Sequence, residues 1–346
     1  MNIIFFNCDL NLIRNRFIVD SFKIQSIDFY MQKRAYRIIG FFKLCFYFLQ
    51  LFYKKFDFIY LGMGSQPYVL IAKIPAIIRR KEIIFDAFVS VYNTEVEDRK
   101  RYTANSLRAR YLWYLDRYSC LFSNTVILDT NEHISYFQNE FNLSNCVFRR
   151  VLIGSYENKY LNIKPKLEYD ILFFGNFIPL QGVEFIVESA SLIDSSINVH
   201  LIGDGQTYSS ARAQAKNLGV QNIIFHGSLS HDNVMQCIMK CRVGLGIFGN
   251  TEKAKRVIPH KAYEIIASRK PLLTGDSPAI REIFTPGEDC LVCQMSSAHS
   301  LATTIQNSIT DENELGRIAF NGYKLYKKLC TPTVIGNNFT KKIIYR

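Results

Sequence analysis

The sequence predicts an α/β protein of two similar, doubly wound domains, each a parallel sheet flanked by helices. Three observations carry that prediction. From Tyr169 onward, short apolar runs alternate with amphipathic helical patterns, as parallel strands joined by right-handed crossovers require. Several of those runs end in glycine, at Gly175, Gly203, Gly227 and Gly249, and ligands of such sheets bind outside the carboxyl ends of the strands. The chain is 346 residues long, more than one compact core commonly holds.

In the first half, NIIFFN, FDFIYLGMG, EIIFDAFVS and NTVILDT read as strands, and RYLWYLDRYSCLF and NEHISYFQNEF as helices. The opening lacks the basic stretch and small-residue cleavage site of a secretory signal, so it reads as a buried first strand. Residues 155–168 are polar and aperiodic, a linker between an N-terminal domain over 1–160 and a C-terminal domain over 161–330. In the second domain DILFFG, INVHLIGDG, NIIFHG, VGLGIFG, PLLTGD and CLVC are the strands. VEFIVESASLI, TYSSARAQAKNLG, HDNVMQCIMKC, PHKAYEIIAS and SPAIREIF are the helices between them. The tail, 331–346, is expected to form a last helix that packs back on the first domain.

Composition narrows the function. Apolar residues make up 48% and charged residues 21%, which excludes a disordered chain. The net charge of +12 is uneven: residues 1–165 hold 23 Lys/Arg against 14 Asp/Glu, so the first half is expected to meet an anionic partner. No helix-turn-helix, zinc-finger or RNA-binding motif accompanies the charge, which argues against nucleic acid. A membrane surface fits better. In residues 31–56 the apolar part, Ile38 to Tyr53, contains Lys43 and is short of the about 20 residues a spanning helix needs. Lys33, Arg34 and Arg37 precede it and Lys54 and Lys55 follow. Two readings stand: a helix lying in the headgroup layer, or a buried helix with basic ends. Nine scattered cysteines point to a reducing cytosol; CLVC has metal spacing but no second pair, and reads as core.

One stretch, RVIPHKAYEIIASRKPLL, gathers Arg256, His260, Lys261 and Glu264 around a helix start after VGLGIFGN. Pro259 suits a first helical turn, so Lys261 adds its charge to the positive end of a helix dipole. Arg256, from the preceding loop, can fork onto phosphate oxygens. In ILFFGNFIPLQGVEFI a strand ends at Gly175 and Gly182 opens a helix, whose free N–H groups favour a diphosphate. The competing reading is a plain Lys261–Glu264 pair, three apart on one helix.

FFGNFIPLQGVEFIVESASLI, INVHLIGDGQ, NIIFHGSLSHDNV and IPHKAYEIIASRKPLLTGDSPAIREIF, in that order, resemble family 4 of the retaining nucleotide-sugar glycosyltransferases. FDAFVSVYNTEVEDR, LDRYS and ILDTNEH resemble its bacterial acceptor domains. The resemblance implies the GT-B fold: two Rossmann-like domains facing a central cleft. It implies donor contacts from Gly203, Gly205, the Phe225 and Gly227 strand end, Asp276 and Ser277. Glu264 matches a glutamate that accepts ribose hydroxyls, and Arg256 stands where an earlier glutamate contacts the donor sugar. The family usually has an arginine after the first loop glycine and a lysine before the second; here these are Asn176 and Gln181. The lost charge is expected to reappear in Arg256 and Lys261. Asp86, at a strand's carboxyl end, is expected to face the cleft as a catalytic residue, with Asp98, Arg99 and Asp129 as further candidates. Asp116 with Arg117 reads as a structural pair and His226 as a structural histidine.

The expected function is retaining sugar transfer from a nucleoside diphosphate to a lipid-linked saccharide or other glycan, in lipopolysaccharide, capsule or exopolysaccharide synthesis. It would act peripherally on the cytoplasmic face of the membrane. No Asp-x-Asp motif appears, so no cofactor and no required divalent metal are expected. The rival is a catalytically inactive sugar-nucleotide-binding subunit of the same fold. A second rival is a nicotinamide-dependent oxidoreductase, against which stands the lack of a G-x-G-x-x-G run opening either half.

Overall fold

The computed structural model describes residues 2–24, 28–33, 37–163 and 166–344, with the backbone alone at residues 7, 28–30, 32–33, 37–43 and 344. The chain divides into two compact units, Met1–Ile153 with Pro332–Arg346, and Gly154–Thr331.

The first unit alternates β1 (Asn2–Cys8), α1 (Ile13–Ile24), β2 (Asp28–Lys33), α2 (Arg37–Tyr53), β3 (Phe58–Leu61), α3 (Gln66–Arg79) and β4 (Glu82–Asp86). A π-helical turn, Asn93–Asp98, then leads to α4 (Leu107–Leu121), β5 (Thr125–Leu128), α5 (Asn131–Glu140) and β6 (Phe148–Arg150). The six strands are all parallel in the order β2-β1-β3-β4-β5-β6. Residues of α2, α3, α4 and α5 share one apolar core with the sheet. On the other face Phe17 and Phe22 of α1 join Ile335 and Phe339 from the chain's end. Ser106 and Thr130 start α4 and α5 by accepting from the N–H groups of Ala109 and His133.

The second unit runs β7 (Tyr169–Phe174), α6 (Val183–Ala190), β8 (Val199–Ile202), α7 (Tyr208–Asn217), β9 (Ile223–Gly227), α8 (His231–Lys240) and β10 (Cys241–Leu245). It continues with α9 (Glu252–Arg256), α10 (His260–Ala267), β11 (Leu272–Asp276), α11 (Pro278–Arg281), β12 (Leu291–Gln294), α12 (Ala298–Ile309) and α13 (Glu312–Leu329). The last helix, α14 (Pro332–Phe339), lies in the first unit, where Phe339 sits 4.8 Å from Phe22, ring to ring. The second sheet is parallel throughout, ordered β12-β11-β10-β7-β8-β9. The order therefore reverses between β7 and β10, and a crevice opens at the carboxyl ends of strands at such a switch point.

Two organisational expectations are corrected. Residues 155–163 are not a free linker: the buried amide of Asn158 donates to Met235 O and Ser268 Oγ, and Tyr326 OH donates to Ser155 O. Residues 31–33 of the basic segment end strand β2, while Arg34 and the side chains of Lys33, Arg37 and Lys43 lie outside the described residues. Among the described residues no helix is long and apolar enough to cross a membrane. Cys290 and Cys293 are buried, and that burial pushes both thiols up to about 12.

Candidate functional site

The site grows from the switch point of the second sheet. Strand β7 ends at Phe174, and Gly175 turns the chain with φ +144°. The Gly175–Gly182 loop returns through a single 3₁₀ turn, Pro179–Gln181, and Gly182, at φ +67°, caps α6. A Cβ on Gly182 would fall 2.4 Å from the Phe248–Gly249 peptide, so only glycine lets the two loops pack.

Lys261 lies beneath this loop. It is the second residue of α10, which Pro259 precedes as N-cap, and it is only 5% exposed. Its Nζ donates to Gly246 O at 3.1 Å, just past β10, and sits 3.6 Å from the Phe173 ring centroid. A Cβ on Gly175 would lie 3.4 Å from Nζ and 3.8 Å from Gln181 Oε1. Gln181 Oε1 is itself buried with no hydrogen-bond partner. A lysine amine, two loop glycines and an orphan amide oxygen thus converge at the reversal between β7 and β10.

The electrostatics settle the Lys261–Glu264 alternative. Glu264 does not take the Lys261 amine; its Oε1 lies 3.3 Å from His260 Nδ1 and 3.6 Å from His231 Nδ1. Burial opposes ionisation of Glu264, but His260, His231 and Lys261 outweigh it and its carboxyl is held below the ordinary value. Burial pushes the Lys261 amine well below its usual range, and Glu264 only partly offsets that. A buried lysine without a carboxylate on its amine favours an anion, which would restore the charged form.

The remaining candidates fall differently. Gly203 and Gly205 face backbone: a Cβ on Gly203 would stand 1.9 Å from Gly175 O, and one on Gly205 2.7 Å from Phe177 O. Their work is to hold the Gly175 loop against the start of α7. Gly227 adopts φ +70° in open space. The Phe225 ring packs toward Phe177 and Tyr208 in the core, leaving only its backbone at the strand end. Arg256 is the last residue of α9, not part of a loop, and is half-buried. Asn176 is exposed on the glycine loop. Asp276 is taken by Arg281, which grips both carboxylate oxygens at 2.7 and 2.6 Å, and Ser277 Oγ caps α11.

Asp86 requires the largest correction. It is fully buried at the end of β4, where Arg14 Nε and Tyr60 OH each donate to Oδ2 at 2.8 Å. Arg14 also donates to Leu152 O and Val151 O, so the group ties α1, β3, β4 and the segment just after β6 together. That is a structural ion pair, not a group open to substrate. Asp129 is likewise buried against His133 Nδ1 at 2.9 Å, Asp98 is buried, and Arg99 faces Glu95. Asp116 does not pair with Arg117; it accepts from Ser90 Oγ and the N–H of Tyr92, and burial raises its carboxyl to about 7. His226 stacks on His200, ring to ring at 5.0 Å. The first unit's own switch point, between β1 and β3, is closed by Asn15, whose amide bridges Asp9 O and Met63 N–H and C=O.

Sequence reasoning missed two parts of the site. The Phe173 ring under Lys261 reads in the sequence only as a core strand residue. His231 reaches Glu264 from a helix start 33 positions earlier, a proximity no local pattern encodes. Among the described residues no group of three His, Cys, Asp or Glu could hold a metal ion.

The loop packing makes a prediction. Gly203→Ala should cost about 1–3 kcal/mol more than Gly219→Ala, because overpacking against backbone is added to the left-handed strain. Gly219, at φ +67° against +137° for Gly203, also adopts a positive φ but has nothing within 4 Å of its Cβ position. Urea unfolding of the two variants checks this, and equal losses would remove the loop-packing role.

Comparison with known proteins bears on the fold. Residues 157–325 match the family described as "Glycosyl transferases group 1". The uncharacterized glycosyltransferase MJ1178 of Methanocaldococcus jannaschii is 27% identical over 231 residues, and the match spans 65% of this chain and 60% of that protein's length. Among solved structures, Anabaena Alr3699/HepE in complex with UDP and glucose superposes with a TM-score of 0.73 at 12% identity, over 100% of both chains. Sucrose-phosphate synthase (tll1590) from Thermosynechococcus elongatus gives 0.71 at 13% identity, over 99% of this chain and 98% of that one. Likeness at such identities establishes the fold. The chain therefore has the GT-B fold of these structures, and within it residues 157–325 are similar to group 1 glycosyl transferases.

Proposed function

We propose that the protein is a retaining glycosyltransferase that moves a sugar from a nucleoside diphosphate to a lipid-linked saccharide or another glycan acceptor. We place it in cell-surface polysaccharide synthesis, acting peripherally on the cytoplasmic membrane face. The observation that carries the donor half is the buried Lys261 amine, without a carboxylate partner, beside the Gly175 turn and the orphan Gln181 Oε1. HepE was crystallised with UDP and with UDP-glucose, which supports a uridine diphosphate sugar as the first donor to try.

On this reading the diphosphate rests on the Gly175–Gly182 loop, where the free N–H groups opening α6 and the Lys261 amine meet its oxygens. Both histidines engage Oε1 of Glu264, leaving Oε2 to accept from the ribose. Arg256 adds charge as the sugar–phosphate bond breaks. No carboxylate nucleophile is required. The acceptor hydroxyl attacks from the leaving group's own face, and its proton passes to the departing phosphate oxygen. Charge growing on the diphosphate is then met by preorganised cations.

Absence of the usual loop cations at Asn176 and Gln181 favours the rival, a subunit that binds sugar nucleotides without turnover. Purified protein separates the two readings. UDP-glucose should raise its melting temperature, and slow hydrolysis or transfer should release UDP; stabilisation without any release supports the inactive subunit. Glu264→Gln should weaken UDP binding by about 1–3 kcal/mol, the worth of hydrogen bonds to a charged group. Calorimetric titration of a folded variant with unchanged affinity would remove Glu264 from the ribose.

A further inference from the structure

Helices of a surface layer normally show one apolar stripe inward and a polar face outward. Three consecutive helices of the first unit do not. Leu51 of α2, Val69, Ala72 and Ala76 of α3 and Cys120 of α4 point into the core against the sheet. Yet each helix carries a second apolar row at helical spacing on its outer side: Phe46, Leu49 and Tyr53; Ile74, Ile77 and Ile78; Tyr111, Tyr114 and Tyr118. These nine side chains are between 42% and 65% exposed. Helix α3 packs against both α2 and α4, so the rows belong to one layer. A soluble monomer seldom leaves so many large apolar groups together on one face.

Charge says what covers them. Neither α2 nor α3 contains an aspartate or glutamate, and the one acid of α4, Asp116, is buried in the unit. The layer does carry Lys73, Arg108 and Arg110, with Lys54 and Lys55 following α2 and Arg80 and Lys81 following α3. Lys81 faces Asp57 at the rim. The Arg108 guanidinium lies over the Tyr111 ring, 5.1 Å from its centroid, and the Tyr114 and Tyr118 rings stack. Tyrosine, arginine and lysine beside isoleucine and leucine are the side chains that suit a lipid headgroup layer, with apolar stems down and polar tips out.

We infer that the outer face of α2, α3 and α4 is a membrane-docking surface that seats on anionic lipid. A second copy of the chain is a poor occupant: a two-fold contact would set this basic face, with Asp57 and Glu140 at its edges, against itself. Nucleic acid would leave the three apolar rows uncovered. The layer lies on the bilayer instead of crossing it, since no described helix is long and apolar enough to span. The inference deepens the membrane half of the proposed function and rests on it for the acceptor's location; it does not depend on the donor site.

The test is vesicle flotation of the whole chain, with phosphatidylcholine alone and with phosphatidylglycerol added. Binding should require the anionic lipid and fall as salt rises. Ile77→Ser with Ile78→Ser, and separately Lys54→Glu with Lys55→Glu, should each reduce it by about tenfold or more. UDP binding and the melting temperature should stay near wild type in both, which keeps a folding defect distinct. Equal partition onto neutral and anionic vesicles, or none onto either, overturns the inference while leaving the donor site standing. A concentration-dependent dimer that the isoleucine variant abolishes would assign the face to a second copy instead.

Discussion

Lys261→Met is expected to lower kcat by about 10²–10³ while the protein stays folded, the cost typical of losing one preorganised contact to developing charge. Lys261 Nζ is the cation the structure brings directly beneath the Gly175 turn. Charge on the leaving diphosphate is greater in the transition state than in the bound donor, so kcat should suffer more than KM. The same burial gives a pH signature. Lys261 is held well below its ordinary value in the empty site, and a bound diphosphate should raise it again. Between the free-state and bound-state values, donor binding then takes up a proton. Affinity is strongest below the free-state value and is lost as pH rises from that value toward the bound-state one. Calorimetry of UDP binding in buffers of different ionisation enthalpy reads the proton directly, and Lys261→Met should abolish the uptake. Turnover near wild type in that variant would take Lys261 out of the mechanism.

Asp86→Ala should destabilise the protein by about 3–5 kcal/mol, because it strands the Arg14 guanidinium in a site where both partners are buried. Removing both charges, as Arg14→Met with Asp86→Leu, should recover much of that loss. Chemical denaturation measures both. The opposite pattern, a stable Asp86→Ala protein that binds UDP but has lost transfer, would return Asp86 to the catalytic group.

The error at Asp86 shows where the sequence stops being readable. A carboxylate at the carboxyl end of a parallel strand is equally suited to a ligand or to a buried cation. The cation that decides, Arg14, stands 72 positions away on a helix that the apolar pattern does not mark. Helix α1 hides because its buried side includes Arg14 and Asn15 as well as Phe17 and Phe22, so its apolar period is broken. Helix α3 hides for the converse reason: QPYVLIAKIPAIIR is apolar on both faces and has Pro75 inside. The second unit was legible strand by strand, since each apolar run there ends in a turn and is followed by an amphipathic helix. Within the site, Lys261 could be placed from Pro259 and the helix start alone. Gly203 and Gly205 could not be assigned, because a glycine that admits a ligand and one that admits another loop look alike in sequence.

On the proposed function the donor's diphosphate sits at the β7–β10 switch point on the Lys261 amine. A crystal structure with bound UDP tests it most directly. A diphosphate oxygen is expected about 2.7–3.2 Å from Lys261 Nζ, over the Gly175 turn, with a ribose hydroxyl on Glu264. A diphosphate bound beyond the reach of Lys261, or held in the first unit alone, would contradict it.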